Sequence, residues 1–186
     1  MKTAGADLRV WDKLLATAHK LDRAHVRIGV LSSKGGDAKH ESEDDEGAPI
    51  TMVELMAIHE FGAEIKMTRA DGSTYVIKIP ERAPIRRTFA QKQAELAEMC
   101  AKLAKAVVMG KLTPARALAL LGQWGVAAVR ATVTEGEGVP PPNAESTKKA
   151  KGSSRPLVDT GRLIQSVSYD VVEGEQPPPG GEGGGL

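Results

Sequence analysis

The chain of 186 residues sets 25 Lys and Arg against 24 Asp and Glu, a net charge of +1, which excludes both a generically basic nucleic-acid binder and an acidic solvating chain. Hydrophobic residues make up 41 % of it, yet 25 of them are Ala and only six are aromatic, so the material for a core is thin. Cys100 is alone, which leaves no internal disulfide and no Cys-based zinc site, and the apolar runs Ala117–Leu121 and Val126–Val129 fall short of the ~20 residues of a membrane span. No signal segment opens the chain, and cytoplasmic synthesis is the expectation.

From Asp7 the residues Leu8, Trp11, Leu14, Leu15, Ala18 and Leu21 recur at spacings of three and four, which predicts an amphipathic helix. The period then drops to two over His25–Leu31, where Val26, Ile28 and Val30 share one face of a half-buried strand. Ser32 to Pro49 has no periodicity and carries six acids among Asp37–Glu46, so a solvated loop over 32–50 is expected. Thr51-Met-Val-Glu54 reads as a capping box opening a short helix that Gly62 stops after Phe61. Ile65 and Met67, then Tyr75, Ile77 and Ile79, alternate on either side of an Asp71-Gly72 turn signal, which predicts a hairpin closed by Pro80 and Pro84.

Ile85 to Met109 reads as one long helix with Phe89, Leu96, Met99, Leu103 and Ala106 or Val107 on one side. Thr113-Pro114 opens a second helix to about Thr134, and its Gly122 and Gly125 predict a close approach by another backbone. Glu135–Pro156 reads as an unstructured Pro- and Lys-rich loop. Asp159–Gln165 reads as a capped turn, Val167, Tyr169 and Val171 alternate into a last strand, and residues 173–186 are a disordered Gly/Pro tail. The fold expected is α+β over residues 1–172, a single domain. Its small mixed sheet (N-terminal strand, central hairpin, C-terminal strand) packs with two long helices and shorter ones, with long loops between.

Chemistry is sparse. Lys34-Gly-Gly, with Lys39 following, imitates a phosphate loop, but Ala38 and His40 stand where a glycine and a metal-binding hydroxyl belong. His59-Glu60 lacks the second His of a metalloprotease pair, since Ala63 occupies that place. The acids at 43–46 lack calcium-loop spacing, and Cys100 reads as a buried, inert thiol amid Met99 and Leu103. The cluster Lys148, Lys149, Lys151, Arg155 has no interleaved aromatic for stacking on bases, which leaves phosphate contact, a salt-bridging subunit contact or plain solubility. No set of nucleophile, base and oxyanion site assembles, so no enzyme, cofactor or metal is expected.

Two stretches carry a resemblance. Ile58-His59-Glu60-Phe61-Gly62, then Ile79-Pro80-Glu81-Arg82-Ala83-Pro84-Ile85-Arg86, is similar to the "I-H-E-F-G … I-P-x-R-P-F-L-R" segment of tailed-phage head–tail joining and tail-completion (virion morphogenesis, neck) proteins, with Ala83 in place of the Arg that commonly precedes the Pro. Pro141-Pro142-Asn143, Ser146-Thr147, Lys151-Gly152 and Pro156-Leu-Val-Asp159-Thr160-Gly161-Arg-Leu163, then Ser166-Val-Ser-Tyr169, resembles the C-terminal ending of the same family. Together they cover roughly residues 60–170.

The resemblance implies a structural virion subunit that forms a homo-oligomeric ring of six copies in the phage neck. That ring would complete the tail and join it to the connector, with portal-side neck proteins and a tail terminator or tube protein as partners. Genome DNA would pass through the lumen without sequence-specific binding, and no membrane would be involved. Alternatives are a tail-terminator ring capping the tube or, from another class, a nucleotide- or DNA-binding assembly factor. Under this reading Asp159 caps the turn holding Gly161, and Leu163 plugs it into the sheet. Pro141, Pro142, Asn143, Ser146, Lys148, Lys149, Lys151, Gly152 and Arg155 reach a neighbouring subunit or ring.

Overall fold

A computed structural model describes residues 8–40, 50–69, 71–135, 139–143, 157 and 161–174. In chain order the elements are α1 (Leu8–Asp22), β1 (Ala24–Val30), a 3-10 turn (Ser32–Lys34), β2 (Lys39–His40), β3 (Ile50–Thr51), α2 (Met52–Phe61), β4 (Ala63–Thr68), β5 (Thr74–Ile79), α3 (Pro84–Gln91), α4 (Gln93–Val108), α5 (Pro114–Thr134), α6 (Arg162–Gln165) and β6 (Val167–Glu173). The fold is α+β. The described strands form three two-stranded sheets, β1 with β6, β2 with β3 and β4 with β5, where the sequence reading expected one mixed sheet. In the hairpin Ala63 through Thr68 pair residue for residue with Ile79 back to Thr74, which uses one edge of each strand.

The chain divides into two compact units. The first comprises Met1–Arg27, Glu95–Gln123 and Asp170–Leu186. The helical stripe Leu96, Met99, Leu103 and Ala106 is half-buried there, while Val107 and Ala117 are buried. The Gly174 N–H donates to the Arg23 carbonyl, and Arg27 pairs with Asp170 at 3.1 Å. Cys100 is exposed, against the expectation of a buried thiol, because it lies one residue off that stripe.

The second unit comprises Ile28–Ala94 and Trp124–Tyr169 and holds the main core: Val30, Met52, Met56, Val129, Val133, Val139, Leu157, Leu163 and Val167. Ile28, Ile85, Phe89 and Val126 pack against it, with Phe89 and Trp124 tilted 6.5 Å apart between ring centres. The Arg130 guanidinium donates to the Gln165 and Val167 carbonyls, tying α5 to the end of α6 and the start of β6.

Helix starts follow their local signals. Thr51 and Glu54 form the capping box in full, Thr51 N–H donating to the Glu54 carboxylate and Glu54 N–H to the Thr51 hydroxyl. Those bonds hold the exposed Glu54 carboxyl below its ordinary value, the backbone bond most of all. At α5 the Thr113 hydroxyl accepts from Arg116 N–H at 3.3 Å, with Pro114 next in the chain as expected.

Other expectations are corrected. The long helix is two, broken at Lys92 one turn after Thr88, whose hydroxyl donates back to the Pro84 carbonyl at 2.7 Å, a bond of the kind that bends helices. What crowds Gly125 is a side chain and not a backbone: a Cβ there would overlap the Cδ1 methyl of Ile28. The segment after β1 is no featureless loop at its start, since it turns through Ser32–Lys34 and enters β2. Residues 41–49, with most of the acidic run, lie outside the described residues. Finally, α5 is long and apolar enough to cross a membrane by length and composition, since Gln123 is the single strongly polar residue between Ala117 and Val129. Ala128, Val129 and Val133 of that helix are nevertheless core residues of the second unit.

Candidate functional site

The motif residues that are described meet at one polar junction in the second unit. Glu60 is the penultimate residue of α2, and its side chain turns inward to the start of α3. Its carboxylate accepts from Ile85 N–H and Arg86 N–H at 3.0 Å each and from Arg86 Nε at 3.0 Å. The same Arg86 donates to the Glu60 carbonyl and, at 3.0 Å, to the Glu81 carboxylate. A carboxylate at a helix N-terminus satisfies orphan N–H donors and complements the helix dipole. Glu60 does this for α3 from another helix because the residue in the cap position, Ala83, offers no side-chain acceptor. The Arg86 guanidinium is held above its ordinary value chiefly by the bond to Glu60, and it also lies 5.0 Å over the exposed Phe61 ring.

Arg82 forms the other half of the junction. Its backbone N–H and that of Ala83 both donate to the His59 carbonyl, at 3.0 and 3.1 Å. Its side chain is buried, donating from Nε to the Pro141 carbonyl and from Nη2 to the Asn143 Oδ1, each at 3.2 Å. Burial lowers the Arg82 pKa, yet guanidinium chemistry keeps the group charged. Gly62 is required between these parts: it sits at φ +75°, and a Cβ there would come within 3.0 Å of both the Glu81 nitrogen and the Ile79 carbonyl oxygen.

The structure thus brings His59, Glu60, Gly62, Arg82 and Asn143 together, with Pro84 buried beside them at the start of α3. Phe61 and Pro80 face solvent. Leu163 is in the core, but the position that caps α6 is Gly161, which makes no side-chain bond; Asp159 and Thr160 lie outside the described residues, as do Ser146, Lys148, Lys149, Lys151, Gly152 and Arg155. Of the residues expected at a subunit contact, Pro141 and Pro142 are exposed, whereas Asn143 is buried and its amide oxygen accepts from Arg82. Arg86 and Glu81 complete the junction, and the sequence reading gave neither a role. Their signal was available in part, since Glu81 and Arg86 stand five apart across a Pro-initiated helix start.

The Lys34-Gly-Gly segment is occupied by local bonds. Lys34 N–H and Gly36 N–H donate to the Leu31 carbonyl and Gly35 N–H to that of Ser32, so these donors are not turned to an anion. The Gly36 and Ala38 carbonyls accept the Val53 and Met52 N–H groups, which makes this turn part of the start of α2.

In the first unit a hollow of about 780 Å³ is lined by His19, Lys20, Arg23, Thr113 and Pro114 among others. Among the described residues no three His, Cys, Asp or Glu side chains gather at metal-binding distance. Comparison of the chain with family models, with curated proteins and with solved structures finds no match in any of the three.

Proposed function

We infer that the chain is a structural virion subunit: a ring-forming neck protein of a tailed phage that completes the tail and joins it to the connector. The observation that supports this reading is the junction itself. The segments on which the resemblance rests lie some 60 residues apart, yet Arg82 of one bonds Pro141 and Asn143 of the other, separations of 59 and 61 residues. Segments that keep their motif together for a reason should meet, and these do.

The use made of the motif residues also favours a building block over a catalyst. Glu60 caps a helix, Arg82 ties down the Pro141–Asn143 segment, and Gly62 lets the hairpin leave α2. Side chains fully engaged in holding a frame leave binding to the surfaces that frame presents.

Light scattering on the purified chain, alone and mixed with tail tubes or connector particles, tests the reading when combined with electron microscopy of the mixtures. Rings seated on tube ends or connectors are the expected result. A chain that ignores both particles would remove the neck assignment, and nucleotide and duplex-DNA titrations would then decide between the assembly-factor alternatives.

A further inference from the structure

The β4–β5 hairpin is a two-stranded sheet that pairs with no other described strand. Among the described residues, one edge of each strand therefore has no strand beside it. Its register sets Ile65 opposite Ile77 and Met67 opposite Tyr75 on one face, and Glu64 opposite Lys78 and Lys66 opposite Val76 on the other. All four apolar side chains of the first face are exposed, from 37 % at Ile65 and Tyr75 to 41 % at Met67 and Ile77. On the second face Lys78 and Glu64 form an ion pair at 2.8 Å.

A lone two-stranded ribbon is marginal in water, and free strand edges invite pairing unless they are blunted. Neither strand contains a Pro, and six residues pair with six without a bulge. The strands carry Glu64, Lys66 and Lys78, charges that discourage indiscriminate edge pairing, so the apolar face beside them suits a strand that matches those charges.

We propose that this ribbon docks edge to edge on the ribbon of a second copy of this chain, β4 of one copy running antiparallel beside β5 of the next. Charge complementarity to a second copy narrows the register to two, of which this is the first. With the neighbour's β5 laid along β4 in the register β4 already uses, Glu64 lies between its own Lys78 and the Lys78 of the next copy. The rows Ile65–Ile77 and Met67–Tyr75 then continue across the contact on one face. No like charges come opposite each other, an arrangement that stabilises cross-strand pairs.

A two-fold contact of β4 on β4 centred at Ile65 would also match charges, Glu64 against Lys66, but it leaves the β5 edge of both copies open. The head-to-tail contact uses both edges of every copy and can close into a ring, whereas the two-fold contact stops at a dimer. The inference deepens the neck reading, on which its closed ring rests; the pairwise contact stands on the hairpin alone.

The test uses the full chain with Cys100→Ser, because the native thiol is exposed. Ile65→Cys and Ile77→Cys are placed in separate chains, one carrying a mass tag, and oxidised singly and mixed at about 100 μM, a concentration at which even micromolar contacts (~8 kcal/mol) are populated. Lys66→Cys and Val76→Cys form a second pair, since alternate cross-strand positions differ in separation. The expected result is a disulfide between the two chain types on mixing, with little in either chain alone.

Dimers of the Ile65→Cys chain alone would mean the two-fold contact and overturn the proposal. Absence of any cross-link would also overturn it. Ile65→Lys or Ile77→Lys, each made alone so that no two lysines face each other across the hairpin, is expected to weaken self-association at least tenfold while shifting the thermal melt of the chain little, because each side chain is partly exposed. Undiminished association would count against the hairpin contact. These outcomes are separate from the particle-mixing experiment: rings on connectors despite the Lys variants would sink the hairpin and spare the neck reading, and cross-links without rings on particles would do the reverse.

Discussion

The Glu60 carboxylate receives three N–H groups at 3.0 Å, two from the backbone of α3 and one from Arg86, while its own side chain is only 8 % exposed. Each bond is charge-assisted, and a buried acceptor surrounded by donors cannot be replaced by an amide without turning one NH₂ toward them. Glu60→Gln is therefore expected to cost about 2 kcal/mol, read as a drop of roughly 4–8 °C in Tm. Glu81→Gln removes only an exposed partner of Arg86 and should leave Tm almost unchanged. Equal losses from the two changes would mean that the cap contributes nothing beyond surface charge. Little of this was legible in the sequence. The His59-Glu60 pair reads correctly as a helix end and not as a metal site, but an acid that caps a helix 25 residues downstream has no local pattern. The missing clue was negative: Ala83 before Pro84 offers α3 no cap of its own, so some other acceptor had to supply it.

At the scale of elements, local chemistry was enough wherever the partner lies within a turn or two. The Thr51–Glu54 box, the Thr113-Pro114 start and the Asp71-Gly72 hairpin form where short-range rules put them, with the Ser73 N–H donating to the Asp71 carboxylate at 2.8 Å to close the last. Periodicity also gave the half-buried stripe of α4. It failed at Lys92, where a continuous helix-forming composition hides a break, and it could not reveal how strands divide into sheets, because pairing partners such as β1 and β6 are far apart in sequence. Gly125 lies between the two cases: the sequence flagged a close approach, and the packing supplied its agent, Ile28. Gly125→Ala gains helix propensity of ~1 kcal/mol but must displace a β-branched side chain packed against the core, which overpacking precedents put at about 1–3 kcal/mol. A net destabilisation of about 1 kcal/mol is expected in urea unfolding, and Ile28→Val in the same chain should recover most of it. A stabilised Gly125→Ala chain would show that Ile28 moves aside freely.

For the molecule as a whole, the balanced charge conceals two segments of opposite sign: six acids within Asp37–Glu46, and Lys148, Lys149, Lys151 and Arg155 in the Pro-rich stretch. If one subunit's acidic segment meets the next subunit's basic one, the assembly holds by solvated ion pairs, which weaken as the screening length falls from ~10 Å at 0.1 M salt to ~3 Å at 1 M. The hairpin contact responds differently. Its apolar rows are insensitive to screening and are strengthened by sulfate, which is excluded from protein surface. The mass of the assembly by light scattering should therefore fall on titration with sodium chloride and recover in part with sodium sulfate at the same ionic strength. Neutralising the acids and the four cations should remove most of the chloride dependence, the exposed Glu64 and Lys78 charges keeping the remainder, and leave the sulfate response. Assembly that ignores chloride from the outset would eliminate the charged contact. Assembly that chloride dissolves and sulfate does not restore would leave the loops alone to hold the subunits together, with the hairpin contributing nothing.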